Sequence, residues 1–251
     1  MEKVITTEPR RIDRVAWAWV VHALTASGAV VGLLALVAID EGRYIQAFAW
    51  MGATIAIDAV DGTLARVFKV KQYLPKIDGA LLDNITDYFT YVIVPAYFIY
   101  QSGLIPGALG VTSALAITLA SAYQFCQSDA KTEDHYFKGF PSHWNVVVFY
   151  LFFLEMSSMA NFVVVMMLAV AVFVPIKYLY PSRTRAFRPV TIVLSTAWAI
   201  LLLVFLLRYP RMNMPVLYLS LVYVAYYFLA SFYLTWRDWR SARRIAAMRG
   251  A

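Results

Sequence analysis

Residues 58–87 read DAVDGTLARVFKVKQYLPKIDGALLDNITD, and they set four carboxylates, Asp58, Asp61, Asp83 and Asp87, well inside two apolar segments, 44–67 and 77–101. At helical periodicity Asp58, Asp61 and Ala65 stand at i, i+3 and i+7, and Gly79, Asp83 and Asp87 at i, i+4 and i+8, so each set shares one helix face. The segments are consecutive, and the basic loop between them makes them antiparallel neighbours. Asp61 lies five residues before Arg66 and Asp83 seven after Lys76. A rise of about 1.5 Å per residue then puts both roughly 8–10 Å inside the same boundary, where the two acidic faces can meet.

The rest of the chain says what that boundary is. Of its 251 residues 61% are hydrophobic and 15% charged, against about 25% charged in an ordinary soluble domain. That excludes a water-soluble enzyme surface and a disordered chain. Runs without a formal charge cover 15–39, 88–128, 156–176, 189–207 and 212–236. A membrane helix needs about 20 apolar residues, and SGLIPG at 102–107 breaks the longest run in two. The expected architecture is an all-α integral membrane protein of about eight transmembrane helices: 15–39, 44–67, 77–101, 107–126, 141–155, 158–177, 189–208 and 215–236. Strands of a barrel would alternate in polarity, and these segments do not. Residues 1–251 read as one membrane-embedded catalytic domain, with no linker or repeat marking a second.

Charge sets the orientation. The net charge is +7. Nineteen Lys and Arg fall in the N-terminal segment 1–14, the loops 66–76, 127–143 and 177–188, and the tail 237–251; Arg43, Arg208 and Arg211 fall on the other side. Both termini are therefore expected in the cytoplasm. The tail WRDWRSARRIAAMRG interleaves Trp and Arg as an anchor on anionic lipid does. The single Cys126 excludes an intramolecular disulfide and a cysteine zinc cluster. The polar start MEKVITTEPRRIDR does not follow the pattern of a cleavable signal peptide.

A carboxylate at the centre of a bilayer costs at least about 2.5–3.5 kcal/mol, so four of them need a reason. Interhelical hydrogen bonds between partly protonated acids are one, and pairing with Arg66 another, although one arginine cannot neutralise four carboxylates. Oxygen ligands without His or Cys suit hard cations such as Mg²⁺ or Mn²⁺, and four negative charges are enough for two divalent ions. Paired metals clamp the attacking and leaving oxygens of phosphoryl transfer. A cation or proton transporter would also bury acids. It would carry a matching second half, and the sequence has none.

Asp58-x₂-Asp61-Gly62-x₂-Ala65-Arg66, then Gly79-x₃-Asp83-x₃-Asp87, resembles the signature of the CDP-alcohol phosphotransferase family. Most members place eight residues between the arginine and the second glycine; here 67–78 make twelve. That longer spacer resembles bacterial phosphatidylcholine synthases, which join choline to CDP-diacylglycerol. So do His22-Ala-Leu-Thr25-Ala-Ser-Gly28 and the stretches 130–134 and 139–145. The resemblance implies a CDP-alcohol phosphotransferase-like helical bundle in a bacterial inner membrane, working as a homodimer. It implies that Asp58, Asp61, Asp83 and Asp87 hold two divalent cations, Mg²⁺ or Mn²⁺. Asp87 would be the general base, with Asp83 beside it. Thr25, Asp58, Gly62, Ala65, Arg66 and Gly79 would bind CDP-diacylglycerol.

Choline's trimethylammonium offers no strong hydrogen-bond donor and is held by aromatic faces. Tyr88, Tyr91, Tyr123 and Trp144 lie nearest the motif segments and are the choline-binding candidates. His22, His135 and His143 read as structural hydrogen-bonding groups. Arg183, Arg185 and Arg188 suit a lipid phosphate or an anionic surface equally. Phosphatidylserine synthase, whose acceptor carries a carboxylate and calls for a nearby Arg or Lys, is the rival reading within the family.

Overall fold

The computed structural model describes residues 9–130, 132, 134–181, 183–211 and 214–249. Lys3 and Lys131, both counted above toward the cytoplasmic side, lie outside these residues. The elements are α1 (Pro9–Asp40), α2 (Tyr44–Val67), α3 (Val70–Tyr73), α4 (Gly79–Tyr88), a π-helical turn (Phe89–Ile93), α5 (Val94–Gln101), α6 (Gly107–Cys126), β1 (Tyr136–Lys138), α7 (Trp144–Phe153), α8 (Ser158–Ala171), β2 (Lys177–Leu179), α9 (Arg188–Arg208) and α10 (Met214–Arg249). Among the described residues, four helices are long and apolar enough to cross a membrane, within Ile12–Asp40, Gly107–Cys126, Arg188–Arg208 and Met214–Ser241. The chain divides into two compact units, Met1–Ala114 with Trp144–Met156, and Leu115–His143 with Ser157–Ala251.

In the first unit α1 ends in a glycine-terminated turn. Gly42 takes a φ of +70°, its N–H bonds to Ile39 O, and Arg43 N–H reaches back to Ala38 O. The reversal lays α2 antiparallel along α1, with Thr25 beside Asp61 and Gly28 beside Ile57. The segment expected at 77–101 starts instead at Gly79, because the Asp78 carboxylate accepts the N–H groups of Ala80 and Leu81 and caps α4 there. α4 runs parallel to α1: Gly79 lies against His22, Thr86 against Gly28, and Phe89 against Gly32. Gly28 and Gly32 leave a notch one helical turn long. A Cβ at Gly28 would stand 2.8 Å from Thr86 Cγ2, and one at Gly32 would stand 2.7 Å from the Phe89 ring and 3.1 Å from Thr90 Cγ2. Close approach of α4 to α1 therefore depends on these two glycines.

Away from the notch the unit is closed by rings. Phe48, Phe98, Phe149, Phe152 and Phe153 pack mutually at centroid distances of 4.8–5.6 Å. α7 is apolar on every side and accordingly buried. It begins at Trp144 rather than 141, because Pro141 and the positive φ of Ser142 precede it. Beyond α2 the chain turns back through α3, where the Tyr73 hydroxyl accepts from Arg14 at 2.7 Å. There Leu64, Ala65, Phe68 and Leu74 cover Ala18, Val21 and Val70.

The second unit holds a two-stranded sheet not foreseen from sequence, β1 antiparallel to β2 with Phe137 opposite Tyr178. β2 is fastened to one face of α10 by side chains at helical spacing. The N–H groups of Lys177 and Leu179 donate to the hydroxyls of Thr235 and Ser231, and the Tyr227 hydroxyl donates to Leu179 O. The Lys177 ammonium bonds to Asp134 at 2.6 Å and Asp238 at 2.9 Å. On another side of α10, Arg240 lies over Trp236 and Arg243 over Trp239, at 4.5 and 3.6 Å from the ring centroids. α8 stops at Ala171, short of the expected 177, because Pro175 biases the residue before it away from helical geometry.

Candidate active site

The acidic segments meet as their spacing predicts, with one refinement. Asp58 from α2 and Asp83 and Asp87 from α4 bring carboxylate oxygens within 4.8 Å of one another. Asp61 is engaged separately: it is buried, and its Oδ2 accepts from Thr25 Oγ1 at 2.8 Å. Residues three apart stand about 60° apart around a helix. That offset is enough to turn Asp58 toward α4 and Asp61 toward α1. The Tyr91 hydroxyl, from the π turn, donates to Asp58 Oδ2 at 2.8 Å and fixes that carboxylate from the other side. Oxygens bound to one hard cation at 2.0–2.6 Å lie up to about 4–5 Å apart, so the cluster has the donor chemistry and spacing for a divalent ion.

Below the carboxylates a small cavity is lined by Thr25, Thr54, Thr86 and Thr90, together with Gly28 and Ile57, and its upper wall is Asp58, Asp61 and Asp87. Thr54 precedes Asp58 by one turn and Thr90 follows Asp87 by three residues, so the cavity extends from the acids toward Thr54 and Thr90. The sequence reading missed Thr54, Thr86, Thr90, Gly32 and Asp78. Their signal is visible in retrospect: a G-x₃-G at 28–32, a T-x₃-T at 86–90 interleaved with D-x₃-D, and an aspartate just before Gly79.

The other expected site residues distribute as follows. Gly79 opens α4, and a Cβ there would meet His22 Cε1 at 3.0 Å. Gly62 is open, its nearest neighbour being the Arg66 guanidinium at 3.7 Å from an added Cβ. Arg66 is exposed in the last turn of α2 and donates to Thr63. Ala65 packs against the Ala18–Val21–Val70 cluster. Tyr91 is bonded to a carboxylate of the cluster, and Tyr88 is half-buried three residues before it. Trp144 is fully enclosed in the core of the first unit. Tyr123 is exposed in the second unit, where its ring lies 4.9 Å from that of Phe173.

The sequence profile described as CDP-alcohol phosphatidyltransferase matches residues 19–176, which includes every element of this site. The chain belongs to that family. It is 44% identical to the phosphatidylcholine synthase of Legionella pneumophila over 91% of this chain and 92% of that protein. It is 39% identical to the phosphatidylcholine synthase of Borreliella burgdorferi over 88% of this chain and 95% of that protein. With the Pseudomonas aeruginosa enzyme of the same name it shares 38% over 91% of this chain and 93% of that protein.

Proposed function

We propose that the chain is a phosphatidylcholine synthase, transferring the phosphatidyl group of CDP-diacylglycerol to choline and releasing CMP. The observation that carries this reading is the convergence of Asp58, Asp83 and Asp87 in a chain so similar, over nearly its whole length, to synthases of that name. Asp58, Asp61, Asp83 and Asp87 would hold two divalent cations, Mg²⁺ or Mn²⁺, which when bound offset the negative charge of the phosphoryl oxygens and of departing CMP.

The remaining steps fall to the protein's own groups. An alcohol is a weak nucleophile at neutral pH, so a placed base is required. Asp87 takes the proton of the choline hydroxyl on a carboxylate oxygen. The choline oxygen forms its bond to the phosphorus that carries diacylglycerol, and the bond from that phosphorus to the CMP oxygen breaks. Asp83, one turn away, keeps the Asp87 carboxylate oriented. Gly62 leaves backbone open to the nucleotide, Gly79 with His22 against it starts the helix beside the nucleotide, Arg66 faces the pyrophosphate, and Thr25 holds Asp61 in place. Tyr88 and Tyr91, on the same helical run as Asp87, are the first aromatic faces for the trimethylammonium, ahead of Tyr123 and Trp144.

The whole chain acts as one catalytic domain of eight membrane crossings in the bacterial inner membrane, both termini cytoplasmic, and pairs as a homodimer. The test is turnover of CDP-diacylglycerol by purified protein with Mn²⁺, offering choline, serine, inositol and glycerol 3-phosphate separately. Phosphatidylcholine and CMP with choline alone, abolished by chelator, is the expected result. Product with serine would move the acceptor assignment, and no CMP with any alcohol would end it.

A further inference from the structure

The cavity beneath the carboxylates contains four threonines, and their hydroxyls are not equivalent. Thr25 Oγ1 donates to Asp61, and Thr54 Oγ1 donates to Met51 O at 2.7 Å. Thr86 and Thr90 are 7% and 2% exposed and line the cavity, and their hydroxyls make no hydrogen bond among the described residues. A helix offers such a hydroxyl an easy partner, since threonine can bond to the carbonyl one turn back. Neither residue uses it. The reason is steric: both methyls are fitted into the notch of α1, Thr86 Cγ2 over Gly28 and Thr90 Cγ2 over Gly32. A β-branched side chain has few rotamers. With the methyl fixed against α1, the hydroxyl is the branch left for the cavity.

We propose that Thr86 and Thr90 are positioning residues for the metal-binding carboxylates. The Gly28/Gly32 notch locks their rotamers so that both hydroxyls serve as donors, directly or through one water, to the inner side of Asp58 and Asp87. The proposal rests on the metal-dependent reading above and deepens it. Asp58 already has Tyr91 on one side, and the threonines supply the side that faces the cavity. Partners of this kind orient metal-binding carboxylates, and their loss typically weakens metal affinity about 10–100-fold.

The experiment is Mn²⁺ titration of the full-length protein in detergent, followed by electron paramagnetic resonance, without substrate. Thr86→Val and Thr90→Val keep shape and methyl and remove only the donor; each is expected to weaken Mn²⁺ binding, and the double variant to do so about 10-fold or more. Thr86→Ser/Thr90→Ser keeps the donors, loses the methyls, and is expected to stay within about three-fold of wild type, well inside the loss expected for the valines. Valine variants that bind Mn²⁺ like wild type would overturn the proposal, leaving the threonines a packing role alone. Should the valine variants fail to fold, the serine pair decides: affinity as weak as that of Asp58→Asn overturns the proposal, and near-wild-type affinity supports it. Wild-type protein that binds no Mn²⁺ would overturn the metal reading itself and this inference with it, an outcome distinct from selective loss in the variants.

Discussion

Adding one methyl group at Gly28 tests the architecture of the site from a distance. The Cβ of Gly28→Ala would stand 2.8 Å from Thr86 Cγ2, whereas relaxed carbon contacts lie near 3.5–4.0 Å. Relief requires Thr86 and α1 to separate by about 0.7–1.2 Å. Thr86 cannot rotate away cheaply, because it is β-branched. The shift therefore passes along the backbone to Asp87, its neighbour, and misplacement of about 1 Å at a reacting centre costs on the order of 100-fold in rate. Overpacking of this kind costs about 1–3 kcal/mol, partly offset by the roughly 1 kcal/mol that alanine gains over glycine in a helix. Gly52→Ala is the internal control. It makes the same change in α2 with nothing within 4 Å of the new Cβ, so it is expected to raise thermal stability slightly and leave CMP release unchanged. The assay is CMP release at saturating choline alongside a melting curve in detergent. Thr86→Ser removes Cγ2 and should restore much of the rate when combined with Gly28→Ala. Turnover in Gly28→Ala equal to that of Gly52→Ala, or no recovery in the double variant, would refute the notch as the element that places Asp87.

Four further outcomes are expected. Asp87→Asn should abolish turnover while keeping the fold, checked by CMP release and gel filtration; near-normal turnover would remove it as the base. Tyr91→Phe loses the 2.8 Å bond to Asp58 and should raise the Mn²⁺ concentration needed for half-maximal activity by about 10-fold or more, with little change in melting temperature. Thr25→Val removes a buried hydrogen bond to a carboxylate, a loss of about 1.5–3 kcal/mol, read as a lower midpoint in thermal unfolding and restored by Thr25→Ser. The Lys177 pair gives a pH signature. Partial burial pushes the Asp134 carboxyl up, but the Lys177 ammonium and the Thr132 hydroxyl outweigh it and hold it below its ordinary value. Burial likewise lowers Lys177, and its two carboxylate partners more than restore it, to above the ordinary lysine value. The Asp134 contribution is complete above the unfolded value near 4 and is lost as pH falls through its depressed folded value; the Lys177 contribution is complete below about 10.4 and is lost as pH rises through its raised one. The stabilisation by this pair should thus be flat from about pH 5 to 9, so the gap in melting temperature between wild type and Lys177→Met should not change across that range; a gap that narrowed between pH 6 and 9 would contradict the assignment.

Much of this architecture was legible in advance because its causes are local. α2 and α6 begin and end where charge, glycine and proline place them, 44–67 and 107–126. The meeting of Asp58 with Asp83 and Asp87 follows from two helix faces and a turn. What sequence did not yield depends on which neighbour each face meets. That Asp61 goes to Thr25 rather than to the other acids depends on α1 lying on that side of α2. The threonine niche depends on the parallel register of α1 and α4, which nothing in either helix alone specifies. β1 and β2 are three residues each, below the length at which alternation can be read, and they exist because α10 supplies hydroxyls for the N–H groups of β2. α10 continues to Arg249 because basic residues end a membrane segment without ending a helix.

The π-helical turn at Phe89–Ile93 divides one helical run into two parts with different obligations. Upstream, the phase of α4 is fixed by chemistry, since Asp83 and Asp87 have to face Asp58. Downstream, the phase of α5 is fixed by packing, since Phe98 and Ile99 are fully buried. A π turn is an α-helix holding one surplus residue. Removing that residue would return the segment to ordinary α geometry with both ends still facing as they do now. A single-residue deletion between Asp87 and Phe98 can thus be taken up as slack in this turn, so an engineered variant can be one residue shorter here while the four acids stay in step.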